Sequence, residues 1–377
     1  MTTITFDNET ISDAIEKANR IAPRMTGSTS HIAGIQIQID PTQAEDPVTI
    51  RATNGDTYWS CWVDVVEATG VPTTWRILGE RLNSITRDLP MGEKKRVTFS
   101  DEERPGAITV KGTRLKAWMS QLSADAFPLW EPFDEERTHP VSNLSEKVEA
   151  VAWAAHKDPH MVPLSGVMFD GEFVVASDGY RMAVMPCELP LDDQVVLSVA
   201  KTLPLIRNAG DVRLGMIGGT LGICPDGYSQ IATTTYGSKY PNITRVMRTD
   251  YDHYVELERD IIAPYARRAQ DYVQKQKAIG VNLVIGEGEM AFLVHDYEGT
   301  EGTEEYFELP GQAAHPRVSM TLSARHLQDG FVNGHGDVFR LHYDDDGMNG
   351  DAKPLLYLQG TDGYQCWLPK IQPKIAE

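Results

Sequence analysis

The chain has 377 residues, too many for one ordinary hydrophobic core and enough for two or three domains. Its 54 Asp and Glu outnumber 35 Lys and Arg, a formal net charge of −19, so the chain as a whole repels nucleic acid. A hydrophobic content of 41% with a mean hydropathy of −0.33 describes a globular protein, and no apolar run approaches a membrane span. Cys61, Cys187, Cys224 and Cys366 are scattered without a C-x-x-C pair, which points to reduced thiols. The first residues carry no basic segment and no long apolar stretch, so a cytoplasmic protein is expected.

Residues 2–6 alternate as a first strand. Ile11, Ala14, Ile15, Ala18, Ile21 and Ala22 then recur at helical spacing. Ile35, Ile37 and Ile39 alternate with Gln36, Gln38 and Asp40, the pattern of a half-wet strand. A hairpin follows over 48–66, turning at Asn54-Gly55-Asp56. A second helix is expected over 76–87, with Leu78, Leu82 and Ile85 inward, then strands over 96–122. Phe127-Pro128 closes this unit.

The pattern then repeats. Val148, Val151, Ala152 and Ala155 predict a helix. Residues 164–186 read as three strands, with Gly171 and Asp178-Gly179 at the turns. A helix over 198–208 contains Pro204, which should kink it or delay its start. Strands over 212–235 and Tyr240-Pro241 close the second unit. In a third pass, Ile262, Tyr265, Ala266, Ala269 and Val273 predict a helix, followed by strands at 281–286, 289–295 and 304–309, a short helix at 323–333 and strands over 338–368. Leu82, Leu203 and Leu327 mark the second helix of each pass, 121 and 124 residues apart. A period this long indicates three related α+β domains, 1–128, 129–248 and 249–377, not a stacked array.

Charge is unevenly spread. Six helical stretches (11–24, 76–87, 145–157, 198–207, 260–277 and 323–335) hold 15 Lys and Arg against 8 Asp and Glu. The basic residues are Lys17, Arg20, Arg24, Arg76, Arg81, Arg87, Lys147, Lys157, Lys201, Arg207, Arg267, Arg268, Lys275, Lys277 and Arg325. Solvated helix faces ordinarily hold Lys and Arg. If the helices share one surface, however, it is basic on an acidic body and suits a phosphate backbone held without sequence readout.

The run Ser177-Asp178-Gly179-Tyr180-Arg181-Met182-Ala183-Val184 resembles the Thr-Asp-Gly-His-Arg-Leu-Ala signature of the bacterial DNA polymerase III beta subunit, the sliding-clamp family. Leu164-Ser165-Gly166-Val167-Met168-Phe169, Lys239-Tyr240-Pro241-Asn242-Ile243-Thr244-Arg245-Val246, Ala124-Asp125-Ala126-Phe127-Pro128 and Leu368-Pro369 support the resemblance, which covers essentially the whole chain. It implies three clamp domains per chain and a head-to-tail homodimer closed into a ring. Helices would line the hole around duplex DNA and antiparallel sheets would form the outer wall. Function would be topological and non-enzymatic, with no cofactor: the ring tethers a DNA polymerase and is opened by an ATP-driven clamp loader.

The same resemblance implies a partner-peptide pocket formed by Leu164, Ser177, Gly179, Tyr180, Arg181, Met182, Pro241, Arg245, Val246, Cys366, Leu368, Pro369 and Lys370. An apolar cleft with a few polar anchors suits a peptide with aliphatic and aromatic ends. Lys370 stands where the family usually has an apolar residue, and Gln372–Glu377 extend the tail. The dimer contact is expected between Tyr272 and Val273 of one copy and the 115–121 strand of the other, with Ala117 and Met119 as candidates.

Other chemistry finds little footing. In His156-Lys157-Asp158-Pro159-His160 the proline breaks the i,i+4 geometry a metal needs. Asp344-Asp345-Asp346-Gly347 lacks the spaced ligands and terminal Glu of a calcium loop. Phosphate-loop, nucleophile-elbow and zinc-protease motifs are absent from the sequence. The competing classes are a β-rich hydrolase, for which no carboxylate cluster stands out, and a three-repeat protein-binding scaffold that does not encircle DNA.

Overall fold

The computed structural model describes residues 1–92, 95–125, 127–128, 130, 132–189, 191, 193–207, 209–217, 219–244, 246–276, 280–286, 288–295, 301–309, 317–344 and 355–369. One element order recurs three times, with one more strand between the two helices in the first pass than in the others. The first pass is β1 (Thr2–Asp7), α1 (Asn8–Ile21), β2 (Ile35–Ile39), β3 (Val48–Thr53), β4 (Thr57–Trp62), β5 (Glu67–Gly70), β6 (Thr73–Ile77), α2 (Gly79–Thr86), β7 (Arg96–Ser100), β8 (Ala107–Gly112) and β9 (Leu115–Ser120). The second is β10 (His139–Val141), α3 (Leu144–Ala152), β11 (Gly166–Phe169), β12 (Phe173–Ser177), β13 (Met182–Pro186), β14 (Val195–Ser198), α4 (Val199–Ile206), β15 (Val212–Ile217), β16 (Thr220–Asp226) and β17 (Ser229–Thr234). The third is β18 (His253–Glu258), α5 (Arg259–Gln276), β19 (Val281–Gly286), β20 (Glu289–His295), β21 (Gly302–Glu308), β22 (Val318–Leu322), α6 (Ala324–Asn333), β23 (Val338–Tyr343), β24 (Leu355–Gly360) and β25 (Gln365–Pro369). This is an α+β architecture of antiparallel sheets.

The chain forms two compact units, each assembled from two stretches. Unit 1 joins Met1–Leu144 to Pro204–Thr235, and unit 2 joins Ser145–Leu203 to Tyr236–Glu377. Unit 1 holds a five-stranded sheet, β5-β1-β7-β8-β9, and an eight-stranded sheet, β10-β15-β16-β17-β4-β3-β2-β6. Unit 2 holds an eight-stranded sheet, β14-β11-β12-β13-β25-β24-β23-β18, and a four-stranded sheet, β21-β20-β19-β22.

Each eight-stranded sheet is a seam between passes. The last strand of one pass lies on the third strand of the β-meander before it: β17 on β4, with Ala232 opposite Tyr58, and β25 on β13, with Trp367 opposite Met182. The corresponding strands left over are β9 and β21, and both end their sheets. The hairpin turns beside the two seams are built alike. Asn54 Oδ1 accepts the backbone N–H of Asp56 and Thr57, and Asp178 Oδ1 accepts those of Tyr180 and Arg181, all within 3.0 Å. Gly55 and Gly179 take φ of 93° and 90°, a region closed to most side chains.

Local pattern explains these elements. In α1, Ile11, Ala14, Ile15 and Ala18 repeat at three- and four-residue spacing and are all buried. Full burial of Ile11 or Ile15 contributes about 2 kcal/mol each. In β2, β3 and β19, alternate Ile, Val and Leu face inward.

Several expected boundaries move. The helix expected over 76–87 begins at Gly79, because Arg76 belongs to β6 and pairs with Gln36. The helix expected over 145–157 ends at Ala152. The strands β5, β6, β10, β14, β18 and β22 lie outside the expected strands; β5, β10 and β14 have only three or four residues, too few to display a period.

Candidate functional site

The Ser177–Met182 turn organises the expected pocket in unit 2. Ser177 Oγ donates to the Arg181 carbonyl at 2.8 Å and accepts the Gly179 N–H at 3.1 Å, closing the loop on itself. Tyr180 is thereby thrust out, 76% exposed. Arg181 turns the other way and is 4% exposed. Its Nε donates to Asp178 Oδ2 at 3.0 Å, Nη1 to Asp329 on α6, and Nη2 to the Trp153 carbonyl at 3.4 Å. The guanidinium also lies 5.1 Å from the Trp153 ring. Arg181 therefore fastens the turn to α6 and to the chain after α3, and is corrected from a peptide contact to a positioning residue.

Beneath the turn lies an apolar cluster of Met168, Val175, Met182, Val184, Val196, Tyr240, Ile243, Tyr357 and Trp367, with Leu164, Met247 and Tyr251 packed against it. Met182, Cys366 and Leu368 are all but closed to solvent, so they are corrected from contact residues to packed core. Burial pushes the Cys366 thiol up to about 12 and keeps it protonated at neutral pH. The accessible part of the expected set is Leu164, Ser177, Gly179, Tyr180, Pro241, Val246 and Pro369. Val246 is 40% exposed. Tyr240 donates its hydroxyl to the Ser177 carbonyl at 3.5 Å, and burial raises its pKa. Arg245 and Lys370 lie outside the described residues.

An aromatic stack buttresses this core. Tyr251 stacks on Tyr357 at 5.7 Å, and Tyr357 on Trp367 at 4.9 Å. Arg248 covers Tyr251 at 4.8 Å and accepts the Trp367 indole N–H on its carbonyl at 2.9 Å. Sequence reasoning passed over Trp153, Tyr251, Asp329, Tyr357 and Trp367. Their only signal was aromatic and acidic residue type at scattered positions.

The basic residues differ in their surroundings. Arg76 is 2% exposed, with its guanidinium on the carbonyls of Ser30, Ala33 and Ser123 at 2.7–3.0 Å. It is a structural tie and not a DNA contact. Lys17, Arg20, Arg24, Arg87, Arg268 and Arg325 are ion-paired to Asp13, Glu16, Glu80, Asp88, Glu305 and Asp329. Arg81, Arg267 and Lys275 are exposed on helices, and Lys147 is half-buried on α3. Lys157 and Arg207 fall beyond the ends of α3 and α4, Lys201 lies in α4, and Lys277 lies outside the described residues. Counted over the observed helices, Lys and Arg number 10 against 9 Asp and Glu, so most of the expected helical surplus resides in flanking turns.

At the expected dimer contact, Met119 is 4% exposed and Trp118 is 52% exposed. Met119 is therefore corrected from a contact candidate to a core residue. Ala117 is half-buried; Tyr272 is 37% exposed on α5, with Val273 half-buried beside it.

The other chemistry-bearing features are accounted for locally. A cleft of about 890 Å3 opens in unit 1 beside Asp13, Lys17, Cys61 and Asp226. Burial and then the Asp226 charge push the Cys61 thiol up to about 12, the wrong direction for a nucleophile. His156 Nδ1 accepts the Asp158 N–H at 3.1 Å, and Asp344 pairs with Arg248 at 2.7 Å. Among the described residues no helix is long and apolar enough to cross a membrane.

No protein-family model and no curated protein matches the sequence. Solved structures do. The DNA polymerase III beta subunit of Thermotoga maritima superposes with a TM-score of 0.81 at 18% identity, covering 99% of this chain and 100% of that one. The beta subunit of Pseudomonas aeruginosa gives 0.79 at 17% identity, covering 98% and 100%. The sliding clamp of Bacillus subtilis gives 0.82 at 13% identity, covering 98% and 99%. At these identities the likeness is one of backbone, and over essentially its full length this chain adopts the fold of the bacterial DNA polymerase III beta subunit, the sliding clamp.

Proposed function

We propose that this chain is a sliding clamp, a non-enzymatic processivity factor that encircles duplex DNA as a homodimer without reading its sequence. It would comprise three clamp domains, 1–128, 129–248 and 249–377. The observation that carries this reading is the repeated seam. Two junctions of one type, β4–β17 and β13–β25, occur within the chain, and β9 and β21 are the two strands left to make a third. A head-to-tail contact that uses β9 of one copy and β21 of another leaves neither edge open in a closed ring, and in a homodimer each copy supplies both. DNA would be retained by closure, with weak contacts from exposed helical cations such as Arg81, Arg267 and Lys275. The acidic remainder would discourage binding elsewhere. A DNA polymerase and a clamp loader would dock short peptides on Leu164, Tyr180, Pro241 and Val246, over the packed core of Met182, Cys366 and Leu368, working in the cytoplasm.

One observation favours a second reading, a protein-binding scaffold that does not enclose DNA: the near balance of 10 basic and 9 acidic residues on the helices. Two measurements separate the readings. Light scattering across concentrations should give twice the 41.9 kDa chain mass; a trimer would overturn the ring. Loaded protein should stay on nicked circular DNA and run off after linearisation. Equal loss from both forms would favour the scaffold.

A further inference from the structure

We propose that unit 1 holds a second partner-peptide groove, built like the one in unit 2 and closed by the chain's own Trp130, so that each chain docks a single peptide. This rests on the clamp reading, in which a peptide docks on Leu164, Tyr180, Pro241 and Val246 of unit 2.

The two sites share one construction. Thr53 Oγ1 donates to the Thr57 carbonyl at 2.9 Å and accepts the Gly55 N–H at 3.0 Å, the same pair of bonds that Ser177 Oγ makes to Arg181 and Gly179. A Cβ added to Gly55 would meet Ile32 Cδ1 at 3.9 Å, and one added to Gly179 would meet Leu164 Cδ1 at 3.7 Å, so Ile32 stands where Leu164 does. The hairpins pair Thr53 with Tyr58 and Ser177 with Met182, which makes Tyr58 the counterpart of Met182. Each unit also supplies an aromatic-proline pair, Phe127-Pro128 or Tyr240-Pro241. The fifth residue after the proline is Phe133 in one and Val246 in the other.

The sheet beneath differs. The row that starts at Met182 continues across the strands with Trp367 and Tyr357, whereas the row that starts at Tyr58 continues with Ala232 and Gly222. The linker of unit 1 fills the room those small residues leave. The Phe133 ring lies so near Gly222 that a Cβ there would come within 2.9 Å of it. Gln230 clasps the Phe133 backbone, accepting its N–H at 3.0 Å and donating to its carbonyl at 2.9 Å. Trp130, three residues earlier, is thereby set on the Tyr58 ring, stacked at 6.4 Å and edge-on to Phe133 at 5.5 Å. The walls are correspondingly shut. Ile32 and Phe133 are 8% and 7% exposed, whereas Leu164 is half-buried and Val246 is 40% exposed; Pro128 is half-buried where Pro241 is exposed. An indole on Tyr58 is the kind of group that the aromatic end of a peptide would bring from outside. Tethered so close to its clasp, Trp130 competes at an effective concentration on the order of millimolar.

The test counts peptides per chain. A fluorescein-labelled Leu-Ser-Leu-Phe peptide, aliphatic at one end and aromatic at the other, is brought to saturation with the full chain by equilibrium dialysis. The unmodified chain should bind one peptide. Trp130→Ala removes the indole, leaves the Gln230 clasp and should bind two, whereas Trp130→Phe keeps a ring on Tyr58 and should bind one. Trp130→Ile installs the residue that unit 2 carries at the same distance from its proline, Ile243. It should also bind two, and it preserves packing if alanine does not. Val246→Glu blocks the unit 2 site, so it should bind none alone and one when combined with Trp130→Ala. Circular dichroism matching that of the unmodified protein shows that each variant is folded. Folded Trp130→Ala or Trp130→Ile protein that still binds one peptide overturns the second groove and leaves the clamp reading standing, as does an unmodified chain that binds two. An unmodified chain that binds no peptide overturns both.

Discussion

Replacing Arg181 should destabilise the protein before it affects partner binding. The guanidinium is 4% exposed and is shared between Asp178 and Asp329, whose side chains are 15% and 22% exposed. Arg181→Met fills similar volume but strands two half-enclosed carboxylates. Removing one member of a buried ionic group costs about 3–5 kcal/mol, and the partial solvent access of both aspartates puts this case near the lower end, about 3 kcal/mol. At about 1.4 kcal/mol per decade, that is a change of roughly 100-fold in the folded-to-unfolded ratio. Urea unfolding of the full chain measures it. Arg181→Lys keeps the charge and loses the fork, so it should recover only part of the loss. A stability loss below about 1 kcal/mol, together with a large loss of affinity for a clamp-binding peptide, would refute the positioning role and restore Arg181 as a direct contact.

Arg76→Ala should cost about 3 kcal/mol in the same assay, because three backbone carbonyls lose their donor, and retention on circular DNA per folded molecule should not change. Cys366, pushed up to about 12 by burial, should resist alkylation in the native protein at pH 8 and react once urea is added. Because that pKa is raised on folding, the stability it contributes is complete below the ordinary thiol value of 9.0 and declines as pH rises from there toward 12. Lys111 and Lys116 hold Glu103 down at about 2, so an NMR titration of its side chain should show a midpoint near that value. The stabilising effect is present above the ordinary 4.5 and fades as pH falls toward 2, and Lys116→Ala should raise the midpoint.

The repeat, the main helices and the turns at Asn54-Gly55 and Asp178-Gly179 were legible because each depends on local chemistry: three- and four-residue spacing, or a side chain that caps its own turn. What stayed hidden depends on partners distant in sequence. Arg76 fits a helical pattern as well as a strand, and the carbonyls that bury it belong to Ser30, Ala33 and Ser123. Arg181 sits within a recognisable signature, yet its destination, Asp329, lies 148 residues away. For β9 the candidates Ala117 and Met119 rested on a loose likeness to the family's facing strand, which does not say which side is inward. A shift of one residue exchanges the two faces of a strand, and Met119 is buried where Trp118 is exposed.

The seams also govern how the chain can be made. β4 pairs with β17 across 176 residues at Thr57 and Thr233, and the chain departs for unit 2 between them. A ribosome that has released the first 144 residues therefore presents an open β4 edge, which closes only when residues near 234 emerge. Unit 2 likewise waits for β25, the last of the described strands, before β13 is covered. At some 5–20 residues per second, each edge stays bare for several seconds or longer, an interval in which unpaired strands invite association. A fragment cut at a repeat boundary would keep one of these edges open permanently. Expressing single repeats should therefore yield aggregates where the whole chain yields soluble protein.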